Sequence, residues 1–350
     1  MEIMRKPWGE LPTGESVELF TLTNKRGMNA TVTNYGATLV GLTAPDQNGA
    51  MTDVVLGYDT VQEYVQGRGY FGATVGRVAN RLRSGFQLGN DVCEPKKNKP
   101  KFQLHGGENG FHSKLWAPEI VEDIDGPKLV LTYRSEDGEE GYPGNLEVTA
   151  TFVLREAGLR IEYRATTDKT TVVSMTNHAY FNLSGSFTED VLGHVVTLNA
   201  GQYLVTDDDQ VPTGALADVS DSPLDFTRPK AIGLHIDAED EAIAIGQGFD
   251  HYFVIDGDAH ELTPAAQIFH GRTGRVLEVC TTEPGFQFYT GNHMADRTNG
   301  KLGAMYGFRG GFCVEPHGYV DAPNNPGFPS IVLEPGETYE HITEYRLSSM

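Results

Sequence analysis

Hydrophobic positions in this chain recur with a period of two. Val148, Ala150, Phe152 and Leu154 alternate with Glu147, Thr149, Thr151 and Val153. Beyond the turn Arg155-Glu156-Ala157-Gly158, the residues Leu159, Ile161 and Tyr163 alternate with Arg160, Glu162 and Arg164. Side chains leave a strand on opposite faces in turn, so this predicts a hairpin with one buried and one wet face. Similar short runs at 17–22, 37–43, 129–134, 276–280 and 338–346 predict further strands. Long amphipathic helices are nearly absent; 60–66 and 231–243 each predict a short one. Forty-one glycines and 18 prolines supply the turns that many short strands need. Strands without alternating helices predict an all-β sandwich instead of a parallel α/β sheet. With no composition shift to mark a linker, one domain over 1–350 is expected.

Charge and cysteine content narrow the partners. A net charge of −21 disfavours nucleic acid and anionic membrane faces, because the mean field repels a polyanion. Cys93, Cys280 and Cys313 are too few and too scattered for a disulfide framework or a C-x-x-C metal site, so reduced, partly buried thiols are expected. The eleven histidines do not fall at metal-ligand spacing, which predicts no metal. The N-terminal stretch has no apolar run behind its basic residues, and no segment approaches the ~20 apolar residues of a membrane helix. A soluble, cytoplasmic protein is the expectation.

Phosphate-loop, nucleophile-elbow and zinc-protease motifs are missing. What remains is a set of polar residues set into aromatic, strand-like runs. His178 follows the predicted strand 171–176 and precedes Tyr180-Phe181; Glu315 follows Phe312-Cys313-Val314 and is closed off by Pro316. A histidine and a carboxylate form a general acid and base that need no cofactor. Read alone, each also fits a structural role, His178 as a core histidine and Glu315 as an exposed strand residue. Asp250-His251 lies in an aromatic strand, Gln287 between Phe286 and Phe288, Asn80-Arg81 after Gly76-Arg77-Val78-Ala79, and His105 before Gly106-Gly107. Such groups beside aromatic faces suit sugar hydroxyls and pyranose rings. Long loops at 94–115 and 316–330 are where binding groups are expected.

Taken in order, these segments resemble the aldose 1-epimerase (galactose mutarotase) family. The resemblance rests on Gly76-Arg77-Val78-Ala79-Asn80-Arg81, Leu104-His105-Gly106-Gly107, Gly138-Glu139-Glu140-Gly141-Tyr142-Pro143-Gly144, Thr176-Asn177-His178-Ala179-Tyr180-Phe181-Asn182-Leu183-Ser184-Gly185, Phe249-Asp250-His251, Pro284-Gly285-Phe286-Gln287-Phe288-Tyr289-Thr290-Gly291-Asn292 and Cys313-Val314-Glu315-Pro316. It covers about 14–347. It implies a large antiparallel β-sandwich of galactose-mutarotase type, interconversion of the α and β anomers of free aldohexoses, no cofactor, and a monomer or homodimer. By resemblance, Glu315 takes the proton of the anomeric hydroxyl and His178 protonates the ring oxygen. The ring opens, C1 turns about the C1–C2 bond, and the ring closes with roles reversed. His105 would assist near the ring oxygen, and Asn80, Arg81, Asp250 and Gln287 would hold hydroxyls.

The reference pKa of a glutamate leaves Glu315 ionised at neutrality, whereas His178 needs an anion, Asp250 or Glu315, to stay protonated. Departures from the family pattern fall at His317, at Val320 in Tyr319-Val320-Asp321, and at Asn325 in Asn324-Asn325-Pro326. Beside a cleft, they would bear on sugar preference. Three rivals stand: a hexose 6-phosphate epimerase, a non-catalytic sugar-binding module, and a glycosidase using two carboxylates.

Overall fold

The computed structural model describes residues 2–67, 69–258, 260–294 and 298–350. Period two becomes strand almost everywhere it was read. Leu146–Arg155 and Gly158–Thr167 pair as an antiparallel hairpin, with Leu154 opposite Leu159. Val148, Ala150, Phe152 and Leu154 enter the core, as do Leu159, Ile161 and Tyr163. The opposite face is drier than alternation alone implies. Thr151 and Val153 are also buried, Val153 between its cross-strand neighbours Lys128 and Arg160. A central strand gains cover from both sides that an isolated hairpin lacks.

Three large antiparallel sheets carry the architecture. The first runs in chain order through Glu2–Glu10, Ser16–Thr23, Asn29–Thr33, Thr38–Pro45 and Met51–Asp53. A second, of nine strands, is ordered Ala117–Val121, Lys128–Ser135, Leu146–Arg155, Gly158–Thr167, Tyr339–Ser349, Arg275–Thr281, Thr263–Phe269, Val195–Leu198 and Lys230–Ala231. The third is ordered Pro212–Asp218, Gln202–Thr206, Asp250–Val254, Gly285–Tyr289 and Cys313–Pro316. One apolar core takes Phe20 and Leu22 from the first, Phe152 and Ile161 from the second, and Phe253, Phe288 and Val314 from the third. This is the expected all-β sandwich. Among the described residues no helix is long and apolar enough to cross a membrane. All three cysteines are free and buried.

Two local expectations need correction. The helix at 60–66 forms as Val61–Gln66, with Thr60 and Glu63 satisfying each other's backbone N–H in a capping box. The helix predicted over 231–243 does not. A 3-10 turn occupies Ile232–Leu234, and the helix starts only at Glu241, where Asp240 accepts from the N–H groups of Ala242 and Ile243, and runs to Gly246. An N-cap inside the predicted span outweighs its apolar spacing. The strand expected over 171–176 is likewise split into Thr171–Val172 and Thr176–Asn177. Between them Val173 N–H donates to Ile331 O and Ser174 N–H to Arg77 O, so loop partners replace a ladder. That break aims the next residues into a cleft.

Candidate active site

Strand parity explains why polar residues sit between aromatics. Gln287 pairs directly with Glu315, Tyr289 with Cys313, and Asp250 with Tyr289. Residues two apart share a face, so Cys313, Glu315, Gln287, Tyr289 and Asp250 all project from one side of the third sheet. Phe286, Phe288 and Val314 leave from the other side into the core. His251 follows them and is fixed there: Asp250 N–H donates to its Nδ1, and its Nε2 lies 3.1 Å from Ala242 O. The Asp250-His251 pair is thus divided, with Asp250 at the cleft and His251 in a structural role.

The polar face of that sheet borders a cavity of about 530 Å³, a size ordinary for small-molecule sites. All seven residues singled out from the sequence line it: Asn80, Arg81, His105, His178, Asp250, Gln287 and Glu315. The first long loop adds Lys99, Phe102 and Leu104. The second, 316–330, lines none of the cavity, so the expectation of binding groups there is corrected. His317, Val320 and Asn325 stand outside it too. His317 is buried, with Nδ1 2.6 Å from Gly318 O and, among the described residues, no hydrogen-bond partner for Nε2. Val320 packs with Leu204 and Phe328, and Asn325 donates to Asp321 O.

His178 and Glu315 stand together in the cavity wall. Thr176–Asn177 pairs with Thr74–Val75, His178 N–H donates to Ala73 O, and Gly72 N–H donates to His178 O. The backbone of His178 is therefore held on both sides. Its ring lies between two tyrosines, with Tyr180 at 4.9 Å and Tyr70 at 6.0 Å, each tilted 19° from its plane. His178 Nε2 stands 3.5 Å from Glu315 Oε2, and His178 Nδ1 stands 3.6 Å from Cys313 Sγ. Donor atoms of His178, Cys313 and Glu315 all lie within 4.8 Å of one another, close enough to suggest a metal site that sequence spacing did not. Cys313 Sγ is within hydrogen-bonding reach of the ring, and Glu315 makes an ion-pair contact with it.

Beside the pair lies a closed polar network. Asn80 Nδ2 donates to Gln287 Oε1 at 2.9 Å, and Gln287 Nε2 donates to Asp250 Oδ1 at 2.6 Å. Gln210 Nε2 donates to the other Asp250 oxygen at 2.9 Å and accepts from Arg81 at 2.5 Å. Arg81 also reaches Asn80 Oδ1 and Asp250. Asn80 N–H donates to His105 Nδ1, while His105 N–H donates to Asn80 O. His105 and Tyr70 both adopt φ of +53°, a left-handed backbone that costs a non-glycine residue about 1–3 kcal/mol. Gly106 follows because a Cβ there would lie 1.8 Å from Gly76 O. Arg77 is not a site residue. It is buried and donates to the carbonyls of Ser135, Glu136, Pro143 and Gly144, so the Gly138–Gly144 motif serves as a buttress.

The electrostatics reverse what the reference values suggested. Burial, with the Asp250 charge adding and Arg81 opposing, pushes the Glu315 carboxyl well above the usual range. Burial also pulls His178 down to about 4, against its own backbone carbonyl and Asp250. Asp250 does favour the imidazolium, as expected, but desolvation outweighs it. His105 is depressed as well, first by burial and then by His178 and Arg81. Both shifts favour the neutral forms, a protonated Glu315 beside an unprotonated His178.

Sequence reasoning missed Tyr70, Gln210 and the contact of Cys313. Tyr70 sits between Gly69 and Gly72 in a glycine-rich turn, a signal for special backbone geometry only. Gln210 ends an acidic turn with nothing to mark it. Cys313 was two residues from Glu315, and strand parity alone would have placed both on one face.

Three comparisons bear on this arrangement. A family model described as Aldose 1-epimerase matches residues 18–346. The galactose mutarotase of Rattus norvegicus is 39% identical over 350 residues, covering 99% of each chain, and the aldose 1-epimerase of Escherichia coli (strain K12) is 33% identical over 339 residues, covering 96% of each. A solved aldose epimerase homologue from C. elegans superposes with a TM-score of 0.84 at 32% identity, covering 94% of this chain and 98% of that one. A galactose 1-epimerase from Lactobacillus acidophilus gives 0.87 at 27% identity, covering 99% of each.

Proposed function

Since this chain belongs to the aldose 1-epimerase family and is an isomerase of that kind, we propose that it interconverts the α and β anomers of free aldohexoses such as glucose and galactose. Glu315 takes the proton of the anomeric hydroxyl while His178 protonates the ring oxygen. The C1–O5 bond breaks, leaving the open-chain aldehyde. C1 turns about the C1–C2 bond, and closure returns the ring-oxygen proton to His178 and a proton from Glu315 to O1. Asn80, Arg81, Asp250 and Gln287 hold hydroxyls, and His105 assists beside the ring oxygen. The chain acts as one domain, without a cofactor, as a cytoplasmic monomer or homodimer.

One observation carries this reading: the 3.5 Å between His178 Nε2 and Glu315 Oε2 at the cavity wall. O1 and the ring oxygen are bonded to the same carbon, so their acid and base must stand side by side. A glycosidase instead needs two carboxylates about 5–9.5 Å apart across the ring. The second carboxylate here, Asp250, is tied down by Gln287 and Gln210. Sugar hydroxyls donating to Glu315 favour the charged carboxylate and move the proton to His178. Each positioned group adds about 10²–10⁴ in rate, and a reaction that already proceeds in water needs little more.

NMR exchange between the anomeric signals of glucose, galactose and glucose 6-phosphate tests the substrate class. Acceleration of the free sugars is expected. Turnover of the 6-phosphate alone, or sugar binding without acceleration, would contradict the proposal.

A further inference from the structure

We propose that Cys313 is a positioning residue: its sulfur accepts the Nδ1–H of His178, so that Nε2 is the nitrogen that gains and gives up the proton in the cleft. The inference rests on the roles just given to His178 and Glu315 and adds a third residue to that pair.

Geometry comes first. Cys313 and Glu315 are two apart on one strand and approach different nitrogens of the same imidazole, Sγ at 3.6 Å from Nδ1 and Oε2 at 3.5 Å from Nε2. The faces of the ring are taken by Tyr70 and Tyr180. Stacking fixes the plane of a ring, yet it does not decide which nitrogen carries hydrogen; only an edge contact does. Cys313 is fully buried, so water does not compete for that edge.

The cycle dictates the tautomer. Once His178 has protonated the ring oxygen, Nε2 must hold a lone pair to recover that proton on closure. The neutral imidazole must therefore keep its hydrogen on Nδ1 throughout. Histidines in acid–base sites commonly hold that hydrogen with a carbonyl or carboxylate, either of which supports the imidazolium. A sulfur atom is a weak acceptor. It selects the tautomer while adding little to the support that the imidazolium already has from the backbone carbonyl of His178 and from Asp250. The low proton affinity that burial gives His178 is consistent with this.

The test combines kinetics with ¹⁵N NMR of histidine-labelled protein, the His178 signals being assigned by their loss in His178→Asn. The wild type is expected to show neutral His178 with a protonated Nδ1 and a bare Nε2. Cys313→Ala should mix the tautomers and lower kcat about tenfold with KM held within about twofold. Cys313→Ser, whose hydroxyl also accepts, should restore the Nδ1–H tautomer and bring kcat to within about threefold of wild type. Cys93→Ala, which removes another buried thiol, should change neither. A protonated Nε2 in the neutral wild type would overturn the proposal. So would a Cys313→Ala enzyme with unchanged kcat, or with lowered kcat and an unchanged tautomer. If His178→Asn itself keeps full activity, the catalytic reading fails, while the tautomer measurement still reports separately on the sulfur contact.

Discussion

Two neighbouring groups in the cavity wall, one around Asp250 and one at Glu315, are built from similar polar residues and treat them in opposite ways. Around Asp250, amides and a guanidinium satisfy both carboxylate oxygens, and the network closes on itself through Gln210 and Asn80. At Glu315, the carboxyl faces a single imidazole at 3.5 Å between aromatic rings, and burial shifts both side chains toward their neutral forms. A satisfied network is rigid and orients a ligand. An under-solvated acid–base pair stays ready to exchange its proton. In the proposed reaction, recognition and chemistry thus differ by how completely each charge is paired.

The largest effects are expected where this contrast is broken at the reactive pair. His178→Asn and Glu315→Gln combined should reduce kcat by about 10²–10⁴, and by no more than the worse single change, because members of a unit are not additive. Steady-state anomerisation of both single variants and the double one checks this; multiplicative losses would show two independent groups. In the other group, Asp250→Ala should raise KM about tenfold or more, since it strands Gln287 and Gln210 together, while the pH profile of kcat keeps its form. Gln210→Ala, which removes only the bridge from Arg81 to Asp250, should raise KM about threefold.

The sequence read the Asp250 group more fully than the reactive pair. All four of its cleft-facing hydroxyl-binding candidates, Asn80, Arg81, Asp250 and Gln287, were legible because amides and charges in aromatic strands stand out. The bridge through Gln210 was not, since its partners arrive from loops and strands 40 to 129 residues away. In the reactive pair the identities of His178 and Glu315 were legible, whereas their ionisation was not. Reference pKa values describe solvated groups, and burial is a property of the whole fold. Strands followed directly from alternation. Failures came where backbone partners lay in distant loops, as at 173–174, or where a cap intervened, as at Asp240.

A smaller effect concerns stability. Burial lowers His112, His178 and His317 to about 4 and His194 and His341 to about 3. The unfolded chain protonates these near 6.5, so between 6.5 and 4 it binds protons that the fold does not, and stability is lost as pH falls through that window. Glu283, raised to about 7, and the raised Glu315 and Asp321 act in the opposite sense, losing stability as pH rises. With His105, His251 and His270 also lowered, eight histidines outweigh three carboxylates. The urea midpoint is therefore expected to be lower at pH 5 than at pH 7; an equal or higher midpoint at pH 5 would show that these histidines are not buried neutral.

The separation of reaction from recognition is tested most directly by Glu315→Gln, with kcat from anomer exchange and galactose affinity from calorimetry on the same preparation. The account predicts kcat at least about a hundredfold below wild type with a galactose Kd within about threefold. A kcat within about tenfold of wild type, or a loss of affinity that accounts for the loss of rate, would contradict it.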